Sequence, residues 1–333
     1  MKVSQIDNKI YTDFFNKHAS EQMMYAHPLW FYGMSRDPIV LGAYNDQNEL
    51  LVVWPFNIVK RFMGLECLSQ PPFCQSLGPI FSVRIFKNRS NSSANGLVRQ
   101  LIKKLVQYID SQKFSCLLQG LPVTFKSPQV FHHYGFRLNY RITYRIASNT
   151  TPQKHWELLH SDHRRKIKKV KKQFSVSNNI SPEVLWNLKK NVLSKSQLKN
   201  YPSCQSFCRA INELCSGGLG HLWGVPKKKE GYHSLGFFGE DKSTVYYLVG
   251  YTEKSSGSLS FSLPLLWKGI SYALENNKNF DFEGTMVSHL DRNFRRFAPK
   301  AVPYARLEWS RGWLNNVYTL RHIRRQSEKI KNA

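Results

Sequence analysis

The segment from Lys242 to Gly284 decides the fold, and its sequence is KSTVYYLVGYTEKSSGSLSFSLPLLWKGISYALENNKNFDFEG. Residues 245–250 are aromatic and β-branched, which predicts a short strand. The serines and the glycine that follow predict a turn. From Phe261 to Leu274 apolar residues recur at helical spacing, and Pro264 fits only near the start of a helix. The segment therefore predicts a strand, a turn, a helix and a second strand in succession.

The second strand ends in the sequence DFEG at residues 281–284, where acidic and aromatic residues alternate. Because alternate side chains of a strand share a face, we predict that Asp281 and Glu283 lie on one side of it. A carboxylate there can hold or deprotonate an amine, so both are candidate catalytic residues. Ser258 and Ser260 lie near the predicted helix start, where free N-H groups bind phosphates, and are candidate phosphate-binding residues. A turn or capping role for either carboxylate stays open.

The order of these motifs resembles the C-terminal half of the FemAB-like branch of the GNAT acyltransferases. The similarity covers roughly ninety residues, and it rests on Tyr246-Tyr247, Leu265-Leu266-Trp267, Asp281-Phe282-Glu283-Gly284, Phe294-Arg295-Arg296-Phe297 and Pro303-Tyr304. The resemblance implies an α/β (α+β) fold of tandem GNAT-like domains, each a mixed, mostly antiparallel sheet flanked by helices. It also implies an N-acyltransferase or aminoacyltransferase, and it places Arg295 and Arg296 at a basic position that binds substrate phosphates. An ordinary exposed helix face explains these two arginines equally well.

Two successive units are predicted along the chain. Residues 1–150 show a strand hairpin, a helix, a strand, a short helix and a strand, which is the order of a first, degenerate GNAT-like half. Residues 151–333 form the second half, which carries the predicted active site and ends in an amphipathic helix around Trp313. The polar residues 148–152 mark the boundary between the halves.

The charge balance is strongly basic, with 48 Lys and Arg against 22 Asp and Glu and a formal net charge of +26. Such a charge predicts attraction to polyanions. Candidate partners are a nucleotide-activated substrate, coenzyme A, tRNA, other nucleic acid or an anionic membrane face. A merely solvated surface is the alternative.

A predicted helix from Trp156 to Phe174 concentrates part of this charge. Its apolar-compatible residues fall on one stripe, and the remaining positions carry Arg164, Arg165, Lys166, Lys168, Lys169, Lys171 and Lys172. Like charges at this spacing repel one another unless an anion or solvent screens them. We therefore predict that Arg164, Arg165, Lys168 and Lys169 bind phosphates. The FemAB-like family has a similar basic helix at the start of its second half.

The sequence also predicts where in the cell the protein lies and whether it holds a metal ion. No apolar run is long enough to span a membrane and no signal peptide is visible at the N-terminus, so we expect a cytoplasmic protein, and a monomer. The six cysteines show no paired spacing, which predicts reduced thiols. A zinc site built from Cys204, Cys208, Cys215 and His221 would match no common framework, so no metal is predicted.

The donor is left open between acyl-CoA and aminoacyl-tRNA. Acetyl-CoA-dependent GNAT enzymes carry a Gln/Arg-x-x-Gly-x-Gly/Ala loop, which the stretch from Ser255 to Ser260 matches only in part. FemAB-like enzymes use aminoacyl-tRNA, but the long helical arm of some members is not evident in this sequence. The acceptor is an amine, for which a cell-envelope precursor is one candidate. The alternative function is a basic nucleic-acid-binding module without catalysis, which would have no use for Glu283.

Overall fold

The decisive segment folds in the predicted order of strand, helix and strand. The computed structural model describes residues 1–19, 23–60, 64–87, 89–253, 260–284 and 286–312. Ser258 and the predicted C-terminal helix lie outside the described residues, so nothing is said of their structure.

The first half begins with three elements that the sequence analysis did not predict: strand β1 and helices α1 and α2. Asp7 caps α1 by accepting a hydrogen bond from the Ile10 N-H at 2.8 Å. The predicted hairpin follows them. The elements are β1 (Lys2–Ile6), α1 (Asn8–His18), α2 (Pro28–Met34), β2 (Pro38–Tyr44), β3 (Leu50–Lys60), β4 (Glu66–Ser69), β5 (Ile80–Phe81), α3 (Asn91–Ser111), β6 (Cys116–Gly120), α4 (Gln129–His132) and β7 (Arg137–Ile146).

The second half begins with helices and continues with the predicted run of three strands. Ser203 caps one of the predicted helices, and Gly218 follows that helix with a positive φ of 70°. The elements are α5 (Pro152–Leu158), α6 (Ser161–Lys171), α7 (Pro182–Asn191), α8 (Lys195–Leu198), α9 (Cys204–Ser216), β8 (Gly220–Pro226), β9 (Tyr232–Glu240), β10 (Thr244–Thr252), α10 (Ser262–Glu275), β11 (Asn279–Asp281), α11 (Ser288–Arg295) and β12 (Lys300–Ser310).

The strands of the described chain form one mixed sheet in the order β1, β2, β3, β4, β6, β12, β7, β11, β10, β9, β8, with β5 paired to β3. In each half, three antiparallel strands are followed by a helix and then by a strand parallel to the third, namely β6 beside β4 and β11 beside β10. The last strand of each half pairs with the other half, because β7 lies beside β11 and β12 lies beside β6. The predicted fold class of two GNAT-like units is confirmed. Because both units share one sheet, their division at about residue 150 stays a prediction.

Buried apolar clusters cover both faces of this sheet. One cluster packs α1, α2 and α9 against the sheet. A second packs α3 and α4 against it, and a third packs α6 and α10 against it. Val53 and Trp54 belong to different clusters, as do Phe237 and Phe238. Since neighbouring strand residues point to opposite faces, the α2 and α9 layer lies opposite α3 and α10. The first and second halves are thus joined by a core as well as by strands.

The predicted helix from Trp156 to Phe174 is broken in two, between α5 and α6. His160 begins α6, and its ring Nδ1 accepts a hydrogen bond from the Asp162 N-H at 3.2 Å. Arg164 donates to the Glu157 carbonyl at 2.8 Å, at the end of α5. The prediction of one continuous helix was wrong because these contacts satisfy the exposed backbone groups at the break.

The expectation of six reduced thiols was also wrong. Cys67 on β4 and Cys116 on β6 form a disulfide, with their Cα atoms 4.7 Å apart. The two residues are partners in the parallel register of these strands, which a separation of 49 residues does not reveal in the sequence. As for the helices in the described ranges, none is both long and apolar enough to cross a bilayer.

Candidate functional site

The site begins where the parallel strands β10 and β11 separate. They are paired over three residues, and the last pair is Tyr246 with Asp281. There β11 ends, whereas β10 continues to Thr252 with a bulge between Tyr247 and Val249. Among the described residues, the edge of β10 beyond Tyr246 has no strand partner on the β11 side. Backbone N-H groups on such an edge are the kind of donor that stabilises a developing oxyanion.

Asp281 is the structural anchor at this point. Its side chain is fully buried, and its carboxylate accepts hydrogen bonds from Thr143 Oγ1 at 2.5 Å, Arg145 Nε at 2.5 Å and the Glu283 N-H at 2.8 Å. Thr143 and Arg145 both come from β7, the strand that pairs with β11. Asp281 therefore ties the end of β11 to the first half and orients the backbone of Glu283.

Glu283 does not share a strand face with Asp281, and that expectation was wrong. It follows the end of β11 and has a left-handed backbone, with a φ of 62°, and Gly284 has a φ of 68°. A left-handed conformation costs a residue with a side chain roughly 1–2 kcal/mol. Two hydrogen bonds hold this turn: the one from the Glu283 N-H to Asp281, and one from the Gly284 N-H to Thr143 Oγ1 at 3.0 Å. The turn is therefore imposed by its neighbours.

The carboxyl group of Glu283 lies in a low-dielectric environment. Burial, and to a smaller extent the charge of Asp281, raise its pKa well above the usual value, although the facing hydroxyl of Tyr25 opposes this shift. Oε1 of Glu283 is buried and has no hydrogen-bond partner among the described residues. Nearby, the Tyr25 hydroxyl donates to Oε1 of Gln75 at 3.1 Å, while the buried Nε2 of Gln75 also lacks a partner. Unpaired buried polar atoms are rare in proteins and need an explanation.

Tyr25 also lines a cavity of about 160 Å³ between the two halves. Ser76 and Arg145 come from the first half, and Thr244 and Tyr246 come from the second half. The polar lining offers several hydroxyl groups beside one guanidinium group. A cavity of this size fits a small polar group rather than a whole nucleotide.

The predicted phosphate-binding arginines are largely engaged in local contacts. Arg164 caps α5, and Arg295 pairs with Asp291 at 3.0 Å. Arg165 and Arg296 both reach Asp162, at 2.8 and 3.2 Å. Hydrogen bonds from Lys166 and Arg165 lower the pKa of Asp162 to about 2. Asp162 therefore forms ion pairs with several basic side chains where α6 and α11 meet.

The other predicted basic residues lie on the outer surface of α6. Lys168 and Lys169 are exposed, while His163, Ile167 and Val170 form the buried face of the helix. Ser260 lies two residues before the start of α10, and within the described ranges no side chain caps the first turn of this helix. Within the described residues, no ion pair joins these cations to Glu283. The structure thus places Asp281 beside Glu283, and separately places Arg165 and Arg296 beside Asp162.

Four residues of the site were missed by the sequence analysis: Tyr25, Gln75, Thr143 and Arg145. Thr143 lies 138 residues from Asp281, and Tyr25 lies 50 residues from Gln75. No local pattern marks any of them. The pairing of β7 with β11 brings Thr143 and Arg145 to Asp281, whereas Tyr25 and Gln75 come from segments outside the strands. For a metal, the described part of the chain contains no cluster of three or more His, Cys, Asp or Glu side chains that could hold one.

A sheet of two such units, each with a parallel pair that separates at its end, defines a GNAT-like fold. The crystal structure of FemX shares it with a TM-score of 0.62 at 12% identity, covering 96% of this chain and 99% of that chain. The structure of L-PGS from Bacillus licheniformis has a TM-score of 0.56 at 11% identity and covers 95% and 96% of the two chains. An acetyltransferase of the GNAT family from Colwellia psychrerythraea has a TM-score of 0.50 at 9% identity, with 93% and 100% covered.

No protein-family model and no curated protein matches the sequence. The chain therefore shares the fold of FemX and L-PGS, which agrees with the fold that the sequence motifs predicted.

Proposed function

We propose that this protein is an N-acyltransferase or aminoacyltransferase that moves an acyl or aminoacyl group from an activated donor to an amine. The observation that carries the proposal is Glu283, whose buried carboxyl has a raised pKa and an unpaired oxygen where β10 and β11 separate. A fold shared with FemX and with a GNAT-family acetyltransferase supports it. The donor is acyl-CoA or aminoacyl-tRNA.

The reaction needs three contributions from the protein. The amine nitrogen attacks the donor carbonyl, a carbon-nitrogen bond forms, and the bond to the thiol sulfur or ester oxygen breaks. Backbone N-H groups on the unpaired edge of β10 face the developing oxyanion. Glu283, in its ionised form, accepts the proton that the attacking nitrogen loses, because burial has raised the basicity of its carboxylate.

Asp281 has a different role in this proposal. Its carboxylate already accepts three hydrogen bonds, so it acts on the reaction through the backbone of Glu283 and is a positioning residue. For the donor phosphates, the predicted group is Ser258, Ser260, Arg164, Arg165, Lys168, Lys169, Arg295 and Arg296. The uncapped first turn of α10 and the exposed lysines of α6 support this part. Cytoplasmic location and the monomeric state remain predictions.

The first experiment compares Glu283→Gln with the wild-type protein. A donor screen by thermal shift, with acyl-CoA thioesters and aminoacyl-tRNA, identifies the donor, and transfer to a panel of amines then gives kcat and KM. Loss of a general base should lower kcat by a factor of about 10²–10⁴. Glu275→Gln is the matched control, because Glu275 is an exposed carboxyl on α10.

The pH dependence gives a second readout. For the wild-type protein, kcat should rise with pH as Glu283 ionises. The residual kcat of Glu283→Gln should not show this rise. Equal kcat in the two proteins would remove Glu283 from the mechanism. If the folded wild-type protein transferred no group from any thioester or aminoacyl-tRNA, the nucleic-acid-binding alternative would replace the proposal.

A further inference from the structure

An exposed apolar cluster follows the candidate site. Met286, Val287 and Leu290 have 57%, 48% and 36% of their surfaces exposed. Large apolar side chains with this exposure are otherwise single or paired in the described chain. Single exposed apolar residues are normal, but a group in one segment marks a contact surface. We call these three residues the apolar tip.

The apolar tip is held against β7 at both ends. Before it, the Gly284 N-H donates to Thr143 Oγ1 at 3.0 Å. After it, the Tyr144 hydroxyl donates to Asp291 Oδ1 at 2.7 Å. Because both anchors are residues of a central strand, the segment that carries the tip is tied to the sheet before and after it. It begins three residues after Glu283.

Cationic residues lie on the helix that carries part of the tip. Arg292 and Arg295 are exposed on α11, the helix that contains Leu290. The N-terminal end of α6 packs on the same helix, because a ring nitrogen of His163 contacts the Asn293 carbonyl at 3.0 Å. Residues 288–296 carry three arginines and one aspartate, Asp291, so this segment has a net positive charge, as has the whole protein at +26.

The combination of exposed apolar side chains and arginines favours one class of binding partner over the others. A nucleic-acid backbone would engage the arginines but would leave the apolar tip in water. A stable protein interface buries about 800 Å² on each partner, far more than three side chains provide. An anionic bilayer fits both features, because apolar side chains enter the boundary of the acyl chains while arginines meet lipid phosphates.

We propose that the apolar tip, with Arg292 and Arg295 on the helix that contains Leu290, docks this protein on an anionic lipid surface. The inference does not depend on the proposed function, since vesicle binding requires no acyl transfer. The inference does not involve the outer lysines of α6.

Vesicle flotation with the full chain tests the inference. We expect the wild-type protein to float with phosphatidylcholine vesicles that contain 30% phosphatidylglycerol, and not with pure phosphatidylcholine vesicles. The triple substitution Met286→Ser, Val287→Ser and Leu290→Ser should weaken the partition constant by about tenfold or more. The double substitution Arg292→Gln and Arg295→Gln should weaken it as well and reduce its dependence on salt.

The matched control removes three apolar residues that are exposed elsewhere. Val83, Phe86 and Val192 are 53%, 53% and 63% exposed, and their replacement with Ser should leave vesicle binding unchanged. Thermal unfolding of each variant verifies that it is folded. If a tip variant does not fold, the three single Ser substitutions take its place, and each should weaken binding in part.

Three results would overturn the inference. The first is equal vesicle binding by the folded tip variant and the wild-type protein. The second is loss of binding only when Lys168, Lys169, Lys171 and Lys172 are replaced, which would make the interaction a property of α6 alone. The third is a wild-type dimer that becomes a monomer in the tip variant by sedimentation velocity, which would make the tip a contact between copies of the chain.

Discussion

Replacing Glu283 with Gln should make the protein more stable at neutral and alkaline pH. Glu283 has a folded-state pKa raised well above its usual value by burial. Between the unfolded and folded pKa values the native state binds one more proton than the unfolded chain, so stability falls as pH rises. The loss is about 1.4 kcal/mol for each pH unit in that window. This loss of stability is absent at a pH below the pKa of Glu283 in the unfolded chain, and it is complete at a pH above its pKa in the folded protein.

Gln keeps the shape of the side chain but cannot ionise. The free energy of unfolding of the variant, minus that of the wild-type protein, should therefore increase with pH at about 1.4 kcal/mol per unit from a pH of about 4.3, the ordinary value for Glu. Urea unfolding in buffers from pH 4 to pH 9 measures this difference. Other titrating groups are present in both proteins and cancel in the subtraction.

Glu275→Gln serves as the control, and its difference from the wild-type protein should show no such slope. The reasoning is refuted if the Glu283→Gln difference is flat with pH. It is also refuted if the variant becomes relatively less stable as the pH rises. The second outcome would mean that the folded state prefers the ionised carboxylate, through a partner that the described residues do not show.

Two further predictions address the anchor of the site and the basic helix. Thr143→Val removes a donor to Asp281 and the acceptor of the Gly284 N-H, so urea unfolding should show that the free energy of unfolding falls by about 1–3 kcal/mol. Thr12→Val, which removes an exposed hydroxyl, should lower it by no more than about 0.5 kcal/mol. Equal losses in the two variants would contradict the anchoring role of Thr143. For tRNA, the logarithm of affinity should fall with the logarithm of salt by about 0.7–0.9 per phosphate contact. This slope, measured across a salt series, should become shallower when four lysines at the C-terminal end of α6 are changed to Gln, while the binding of a small acyl-CoA changes little. The four lysines are Lys168, Lys169, Lys171 and Lys172, and an unchanged slope would exclude tRNA from this surface.

Much of the fold was predictable because its signals are local. The aromatic and β-branched run of β10, the helical spacing of α10 and the glycines after α9 each act within a few residues. The exchange of β7 and β12 between the halves has no such signal, because strand pairing is decided by sheet closure over long distances. The break between α5 and α6 was missed because His160 is an unusual capping residue.

The candidate site was predictable only in part. Asp281 and Glu283 were identified by their type and spacing, but the left-handed turn at Glu283 was not, since a glutamate rarely adopts it. Tyr25 and Arg145 could not be found, because burial and contacts with the second half define their roles. The exposed apolar tip was also missed, because exposure is a property of the folded surface and not of three residues in a mixed sequence.

In the proposed reaction, the two carboxylates have different roles for a physical reason. Hydrogen bonds that hold a carboxylate in place also favour its charged form, and so they weaken it as a base. One residue therefore cannot be both a firm anchor and a strong proton acceptor. Asp281 accepts three hydrogen bonds, and one of them comes from the backbone of the residue two positions later. This local turn, which Asp forms readily, places Glu283 where its Oε1 is buried without a hydrogen-bond partner among the described residues. The spacing of two residues then reflects a turn made by the first carboxylate to position the second, rather than a face shared by both.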